Sequence, residues 1–180
     1  MNKGFFFDRD GVLNKLIPEK NSYRPPLEVE ELKINNKIIN SVNSLKKNYK
    51  IFVVSNQPDV SRGKLKKETL NLINKEIDRN FNFNEILCEI RDDEKYKKPS
   101  PYMINLLIKK YSLLKKDSWI VGDRWVDIEA GKQAGIKTIL LEFDYSYSPT
   151  SKGLKYTSVE PNITIKNVDE FNDLVNSSFL

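Results

Sequence analysis

Two carboxylates, Asp8 and Asp10, stand two positions apart, directly after Phe5-Phe6-Phe7 and directly before Gly11. Three aromatics with no polar alternation read as a strand buried on both faces. Carboxylates at the carboxyl end of such a strand lie where open α/β sheets place their ligands, and Gly11 lets the backbone turn sharply after them. A strand followed by an ordinary polar turn accounts for these residues equally well, so other parts of the chain must decide.

The chain has no His and a single Cys, Cys88. Ser–His–Asp and Cys–His nucleophile systems are therefore excluded, as are imidazole metal ligands. Acid–base work falls to carboxylates, Lys, Tyr or Cys. A metal site would be built from oxygen ligands, which suits Mg²⁺.

Further polar groups follow apolar runs. Ile51-Phe52-Val53-Val54 leads into Ser55-Asn56-Gln57-Pro58, and Trp119-Ile120-Val121 breaks at Gly122-Asp123-Arg124. Lys98 lies just ahead of a helix that Ser100 would cap, with Pro101 at its first position. Hydrolysis of a phosphate monoester needs a nucleophile, a leaving-group acid, a divalent cation and donors for the equatorial oxygens. Carboxylates gathered around Mg²⁺ can approach a dianionic substrate, with Lys98 and the Ser55 hydroxyl offsetting the remaining charge.

The elements that must position these groups alternate along the chain. Ile34, Ile38, Ile39, Val42 and Leu45 predict a first helix and Leu70, Ile73 and Ile77 a second. A strand over 86–90 and a charged loop over 91–98 precede the third helix, through Ile104, Leu107, Ile108 and Tyr111. A short helix through Val126, Ala130 and Ala134 stops at Gly135, a C-cap, before a strand over 139–141. Residues 143–161, rich in Tyr, Ser, Pro and Thr, read as a surface loop. An edge strand over 163–165 and a helix through Phe171 and Val175 close the chain. The pattern predicts a single α/β domain over 1–180, a doubly wound parallel sheet with right-handed crossovers and no separate cap domain.

Composition sets the context. Of 180 residues 39% are hydrophobic and 31% charged, as in ordinary globular proteins. No apolar run approaches the ~20 residues of a membrane span, and no signal-peptide pattern opens the chain. The lone Cys88 favours a reducing compartment, so the cytoplasm is expected. The net charge of +5 is spread as scattered Lys rather than gathered into a patch, which argues for solvated faces over nucleic-acid binding.

Taken together and in order, Asp-Arg-Asp-Gly-Val-Leu-Asn, Ser-Asn-Gln-Pro-Asp-Val-Ser-Arg-Gly, Lys-Lys-Pro-Ser-Pro and Val-Gly-Asp-Arg-Trp-Val-Asp-Ile-Glu-Ala-Gly resemble the haloacid dehalogenase (HAD) superfamily. Within it they resemble the heptose-bisphosphate and histidinol-phosphate phosphatases. The resemblance implies that Asp8 attacks phosphorus and that Asp10 protonates the leaving alkoxide and then activates water. It implies Mg²⁺ held by Asp8, the Asp10 backbone carbonyl and Asp123, and phosphoryl oxygens bound by Ser55 and Lys98. Asp127 would support the metal shell through water or Lys98. Asn56, Arg62, Lys97 and Arg124 would meet the rest of a sugar phosphate or a second phosphate.

Many members of that branch carry a zinc loop of three Cys and one His. Here Cys88 stands at the first such position, Ile90 replaces the His, and no Cys follows before Lys97. One thiolate cannot hold a structural zinc, so no zinc is expected. Residues 15–26, with Tyr23 and Arg24, are the expected specificity loop, and a monomer or weak homo-oligomer is expected. The implied activity is a Mg²⁺-dependent sugar-phosphate phosphatase, with a heptose 1,7-bisphosphate as the leading substrate. Histidinol phosphate, a nucleic-acid 3′-phosphate, or a non-catalytic phosphate-binding role are the alternatives.

Overall fold

A computed structural model of the chain describes residues 2–20, 22–149, 155–156 and 158–180. Among these residues six strands form one parallel sheet: β1 (Gly4–Phe7), β4 (Lys50–Asn56), β5 (Glu85–Glu89), β6 (Trp119–Gly122), β7 (Lys137–Leu141) and β8 (Ile163–Ile165), in the order β5-β4-β1-β6-β7-β8. The short strands β2 (Ile17–Pro18) and β3 (Tyr23–Arg24) make a separate antiparallel hairpin.

The three Phe of β1 show why the sheet is covered on both faces. Side chains alternate along a strand, so Phe5 and Phe7 enter one cluster and Phe6 the other. The first cluster takes Val42 and Leu45 from α1 (Ile39–Leu45), Ile73, Ile77 and Phe81 from α2 (Lys67–Phe81), and Phe171 and Val175 from α5 (Val168–Ser178). The second takes Met103, Ile104 and Leu107 from α3 (Tyr102–Tyr111) and Ala130 and Ala134 from α4 (Trp125–Ala134). The doubly wound fold is thus the observed one. From β1 the chain passes to β4 and β5 on one side, then crosses back to β6 on the other. That reversal is a topological switch point, the usual ligand crevice of such sheets. No helix among the described residues is long and apolar enough to cross a membrane.

Several expected boundaries shift. Ile34 lies outside the first helix: it bridges Asn14 in antiparallel fashion, and Asn35 hydrogen-bonds the carbonyls of Leu13 and Val12. Those backbone ties hold the segment extended, so regular α-helix begins only at Ile39. The third helix begins one residue later than expected, with Pro101 at the cap; the Ser100 hydroxyl donates to the Lys95 carbonyl and accepts weakly from the Tyr102 N–H. Gly135 does close α4, at φ +77°. Within the expected surface loop, most of residues 143–149 are exposed as the composition suggests, but Ser146 is fully buried and donates to the Asp123 carbonyl, which ties the segment to the end of β6.

Phe6, with no exposure and stacked on Phe52 at 5.2 Å, reports on the second cluster. Phe6→Ala is expected to cost about 3–5 kcal/mol in denaturant unfolding. Leu106→Ala, at an exposed position of α3, should stay within about 0.5 kcal/mol.

Candidate active site

The carboxyl ends of β4, β1 and β6 converge on a cavity of about 630 Å³ lined by Asp8, Asp10, Ser55, Asn56, Lys98, Asp123, Arg124 and Asp127, among others. Asp8 follows β1, its N–H bonded to the Val121 carbonyl at 2.9 Å. Lys98, 2% exposed, reaches in beneath it. Its ammonium donates to Asp8 Oδ1 at 2.7 Å and to the Val54 carbonyl at 2.7 Å, and pairs with Asp127 Oδ1 at 2.6 Å. Asn56 clamps the backbone of Lys98 from both sides: its Oδ1 accepts from the Lys98 N–H at 2.8 Å and its Nδ2 donates to the Lys98 carbonyl at 2.9 Å. Both ends of the Asn56 amide are thus engaged with Lys98, although the sequence suggested a contact with substrate.

Asp10 is held differently. Its carboxylate accepts from Arg9 at 2.8 Å, Gln57 at 2.6 Å and Asn14 at 3.0 Å. Arg9 is fully buried and ties the turn to α2 through Asn74 at 3.0 Å. Gln57 also donates to the Ser55 hydroxyl at 2.9 Å, which leaves that hydroxyl its own proton to give. The supporting roles of Arg9, Asn14 and Gln57 were not assigned from sequence. Their polar side chains beside the two motifs were the available signal.

Asp123 and Asp127 complete the cluster. One carboxylate oxygen from each of Asp8, Asp123 and Asp127 lies within 4.8 Å of the others. Asp127 Oδ2 accepts from the Arg124 N–H at 3.1 Å, turning Oδ1 to Lys98. Asp123 Oδ2 accepts from the Tyr145 hydroxyl at 2.8 Å, whereas among the described residues its Oδ1 has no hydrogen-bond partner. Gly11 permits this crowding: at φ +97° it carries the backbone past Asp123, and a Cβ there would sit 2.0 Å from Oδ2.

The electrostatics are those of a site short of positive charge. Burial raises the Asp8 carboxyl from 3.8 to about 6; Lys98 opposes that shift, and Asp127 and Asp10 add to it. Burial, then Asp8 and Asp127, push Asp123 well above the carboxylate range, against the pull of Tyr145 and Arg124. Burial disfavours the Lys98 ammonium, but Asp127 and Asp8 more than compensate and its pKa rises. Three clustered carboxylates, one with an orphaned buried oxygen, fit a hard divalent cation bound through oxygen. Asp8, Asp123 and Asp127 could hold it; the Asp10 carboxylate faces Arg9 instead, so Asp10 could offer only its backbone carbonyl.

The remaining expected residues are placed unevenly. Arg124 lines the cavity and donates to the Ser148 and Pro149 carbonyls. Arg62 and Lys97 are not among the lining residues; they converge on Asp92 at 2.8 and 2.6 Å. Lys97 and Arg62 thereby hold the Asp92 carboxyl well below its usual range. With Arg91 over the Tyr96 ring at 3.6 Å and paired with Glu89, they brace the charged loop ahead of Lys98. In the expected specificity loop, Tyr23 lines the cavity, while Arg24 forms a two-pronged pair with Glu31, lowering that carboxyl to about 2. Trp125 is buried, with its indole N–H on the Ser148 carbonyl.

The raised Asp8 pKa carries a sign. Its folded-state value exceeds the unfolded one, so its contribution to stability is complete below about pH 4 and is lost as pH rises through about 6. The metal-free protein should therefore melt at lower temperature at about pH 7 than at about pH 5. Added Mg²⁺ should raise the melting temperature more at the higher pH, where protons no longer compete. Thermal melts with and without the cation read this directly; an equal Mg²⁺ response at both pH values would contradict it.

Residues 7–141 match the family model of the haloacid dehalogenase-like hydrolases. The chain is 32% identical over 152 residues to D-glycero-alpha-D-manno-heptose-1,7-bisphosphate 7-phosphatase of Photorhabdus laumondii, across 76% of this chain and 80% of that protein. It is 28% identical over 156 residues to D-glycero-beta-D-manno-heptose-1,7-bisphosphate 7-phosphatase of Haemophilus influenzae, across 78% and 82%. Among solved structures, D,D-heptose 1,7-bisphosphate phosphatase from B. bronchiseptica, complexed with magnesium and phosphate, shares the fold at a TM-score of 0.77 and 21% identity, over 97% of this chain and 98% of that one. With the family model spanning most of its length and its motifs meeting at one sheet end, this chain belongs to the haloacid dehalogenase-like hydrolase family.

Proposed function

We propose that this phosphatase is Mg²⁺-dependent and hydrolyses a sugar phosphate, with a heptose 1,7-bisphosphate as the leading candidate, through an aspartyl-phosphate on Asp8. The observation that carries the reading is the Lys98 ammonium bridging Asp8 and Asp127 beside Oδ1 of Asp123, which has no hydrogen-bond partner among the described residues. Relatives named as heptose-1,7-bisphosphate phosphatases support the substrate class.

Asp8, Asp123, Asp127 and the Asp10 backbone carbonyl would hold the cation. When bound, it would neutralise phosphoryl oxygens and keep the carboxylates ionised at neutral pH. The Asp8 carboxylate attacks phosphorus; the bond to the leaving sugar oxygen breaks as the bond to Asp8 forms. Lys98 holds Asp8 in place and, with the Ser55 O–H, faces charge growing on the equatorial oxygens. Asp10 gives its proton to the departing alkoxide and then, as a carboxylate, takes one from the water that cleaves the aspartyl-phosphate. In the arrangement described, Asp10 accepts on both oxygens. Gln57, which touches both Asp10 and Ser55, sets the distance between the two roles.

The hairpin and the segment after β7 wall the mouth of the cavity. Tyr23, about half exposed, packs on Tyr145 at 4.9 Å, and both line the cavity with Pro25 and Pro149. Such a wall offers flat apolar surface to the carbon skeleton of a sugar while polar groups lie deeper.

Phosphate release with Mg²⁺ should be measured across heptose 1,7-bisphosphates, other sugar phosphates, histidinol phosphate and a 3′-phosphorylated oligonucleotide. Turnover is expected on a sugar phosphate, and Asp8→Asn should lower kcat by at least about a thousandfold. Tyr23→Ala should raise KM several-fold with a smaller effect on kcat. Turnover that survives Asp8→Asn, or none on any sugar phosphate, would overturn the proposal.

A further inference from the structure

The segment following β7 reaches a residue 22 positions earlier and grips it twice. Tyr145 donates its hydroxyl to Asp123 Oδ2 at 2.8 Å, and Ser146 donates its hydroxyl to the Asp123 backbone carbonyl at 2.5 Å. The Ser146 carbonyl in turn accepts from the Trp125 N–H at 2.9 Å, which locks the segment to the start of α4. Next to Asp123 Oδ2 lies Gly11, where a Cβ would come within 2.0 Å of that oxygen and 3.1 Å of the Tyr145 hydroxyl. Asp123 Oδ2 is thus crowded by a glycine backbone and bonded by a phenol, while Oδ1 is buried with no hydrogen-bond partner among the described residues.

A carboxylate held by one oxygen in this way has lost its freedom to rotate. Oδ1, which has no hydrogen-bond partner among the described residues, is then the oxygen best placed to meet a cation. Rigidity on the phenol side is supplied by aromatic packing: Phe143 stacks on Tyr145 at 5.3 Å, and Tyr23 from the hairpin packs on it at 4.9 Å.

We infer that Tyr145 is a positioning residue for the cation site, its hydroxyl holding Asp123 by Oδ2 so that Oδ1 is presented to a divalent cation, and its ring joining that site to the substrate wall at Tyr23. The inference rests on the reading of Asp123 as a cation ligand in the proposed function. Outer partners of metal-holding carboxylates set both orientation and affinity, and their loss commonly weakens binding tenfold or more.

The test is a Mg²⁺ titration of the metal-free full-length chain, read by calorimetry and by thermal shift without substrate. Tyr145→Phe keeps the ring and removes only the hydroxyl; circular dichroism checks that it folds. Its Mg²⁺ midpoint is expected to rise about tenfold, and its kcat to recover as Mg²⁺ saturates. Tyr147→Phe is the control, since that hydroxyl, in the same segment, donates to Glu142 instead, and its midpoint should match the wild type. A Tyr145→Phe midpoint equal to the wild type would overturn the inference, even if the variant melts lower, because a purely structural role predicts that pattern. A wild type that shows no Mg²⁺ response would instead refute the cation dependence proposed for the enzyme, and the inference with it.

Discussion

The structure depends on one buried ammonium. Lys98 sits almost wholly out of water among Asp8, Asp127 and the Val54 carbonyl. A charge there is tolerable only because anions and a carbonyl surround it closely. The converse holds as well: three clustered carboxylates are tolerable only because Lys98 takes part of their repulsion. Much of the surrounding architecture serves that balance. Asn56 at the end of β4 fastens the Lys98 backbone, and the Arg124 N–H orients Asp127. Gly122 makes room for Asp127, whose Cβ would lie 2.2 Å from a Cβ at that position.

Two kinds of contact separate what was legible in the sequence from what was not. Local patterns were legible. The Phe5-Phe6-Phe7 run predicts a strand buried on both faces, and its alternation into two clusters is what a two-layered cover demands. Motif residues at or just past strand ends, such as Asp8, Ser55 and Asp123, meet because a parallel sheet brings strand ends together. Pairings made across loops were not legible. Arg62 and Lys97 look like substrate ligands by type and position, yet Asp92 draws both into a loop brace. The segment 143–149 has the composition of a surface loop, and nothing in its own pattern announces that Ser146 will be buried. Ile34 fits a helical period, but Asn14 and Leu13 hold it extended, a tertiary override of local preference.

The brace around Asp92 shows how one structural problem admits different chemistry. A loop beside an active site must be ordered without a core of its own. Here the cost is met by two cations on one carboxylate, a guanidinium on an aromatic face, and that ring edge-on to Tyr102 at 4.9 Å. Such an arrangement responds to ionic strength rather than to chelators, because its attractions are partly exposed to screening.

The placement of β1 has a dynamic meaning. It is hydrogen-bonded to β4 on one side and β6 on the other, and its three Phe anchor both clusters. Detaching it would break two cores and two ladders at once, so its amides belong to the slowest-exchanging, globally unfolding class. The hairpin carrying Tyr23 has a two-residue ladder and an exposed tip. The molecule therefore sets Asp8 directly after its most firmly held strand and beside a mouth partly walled by a two-residue hairpin, so the mouth can open locally while that carboxylate stays still.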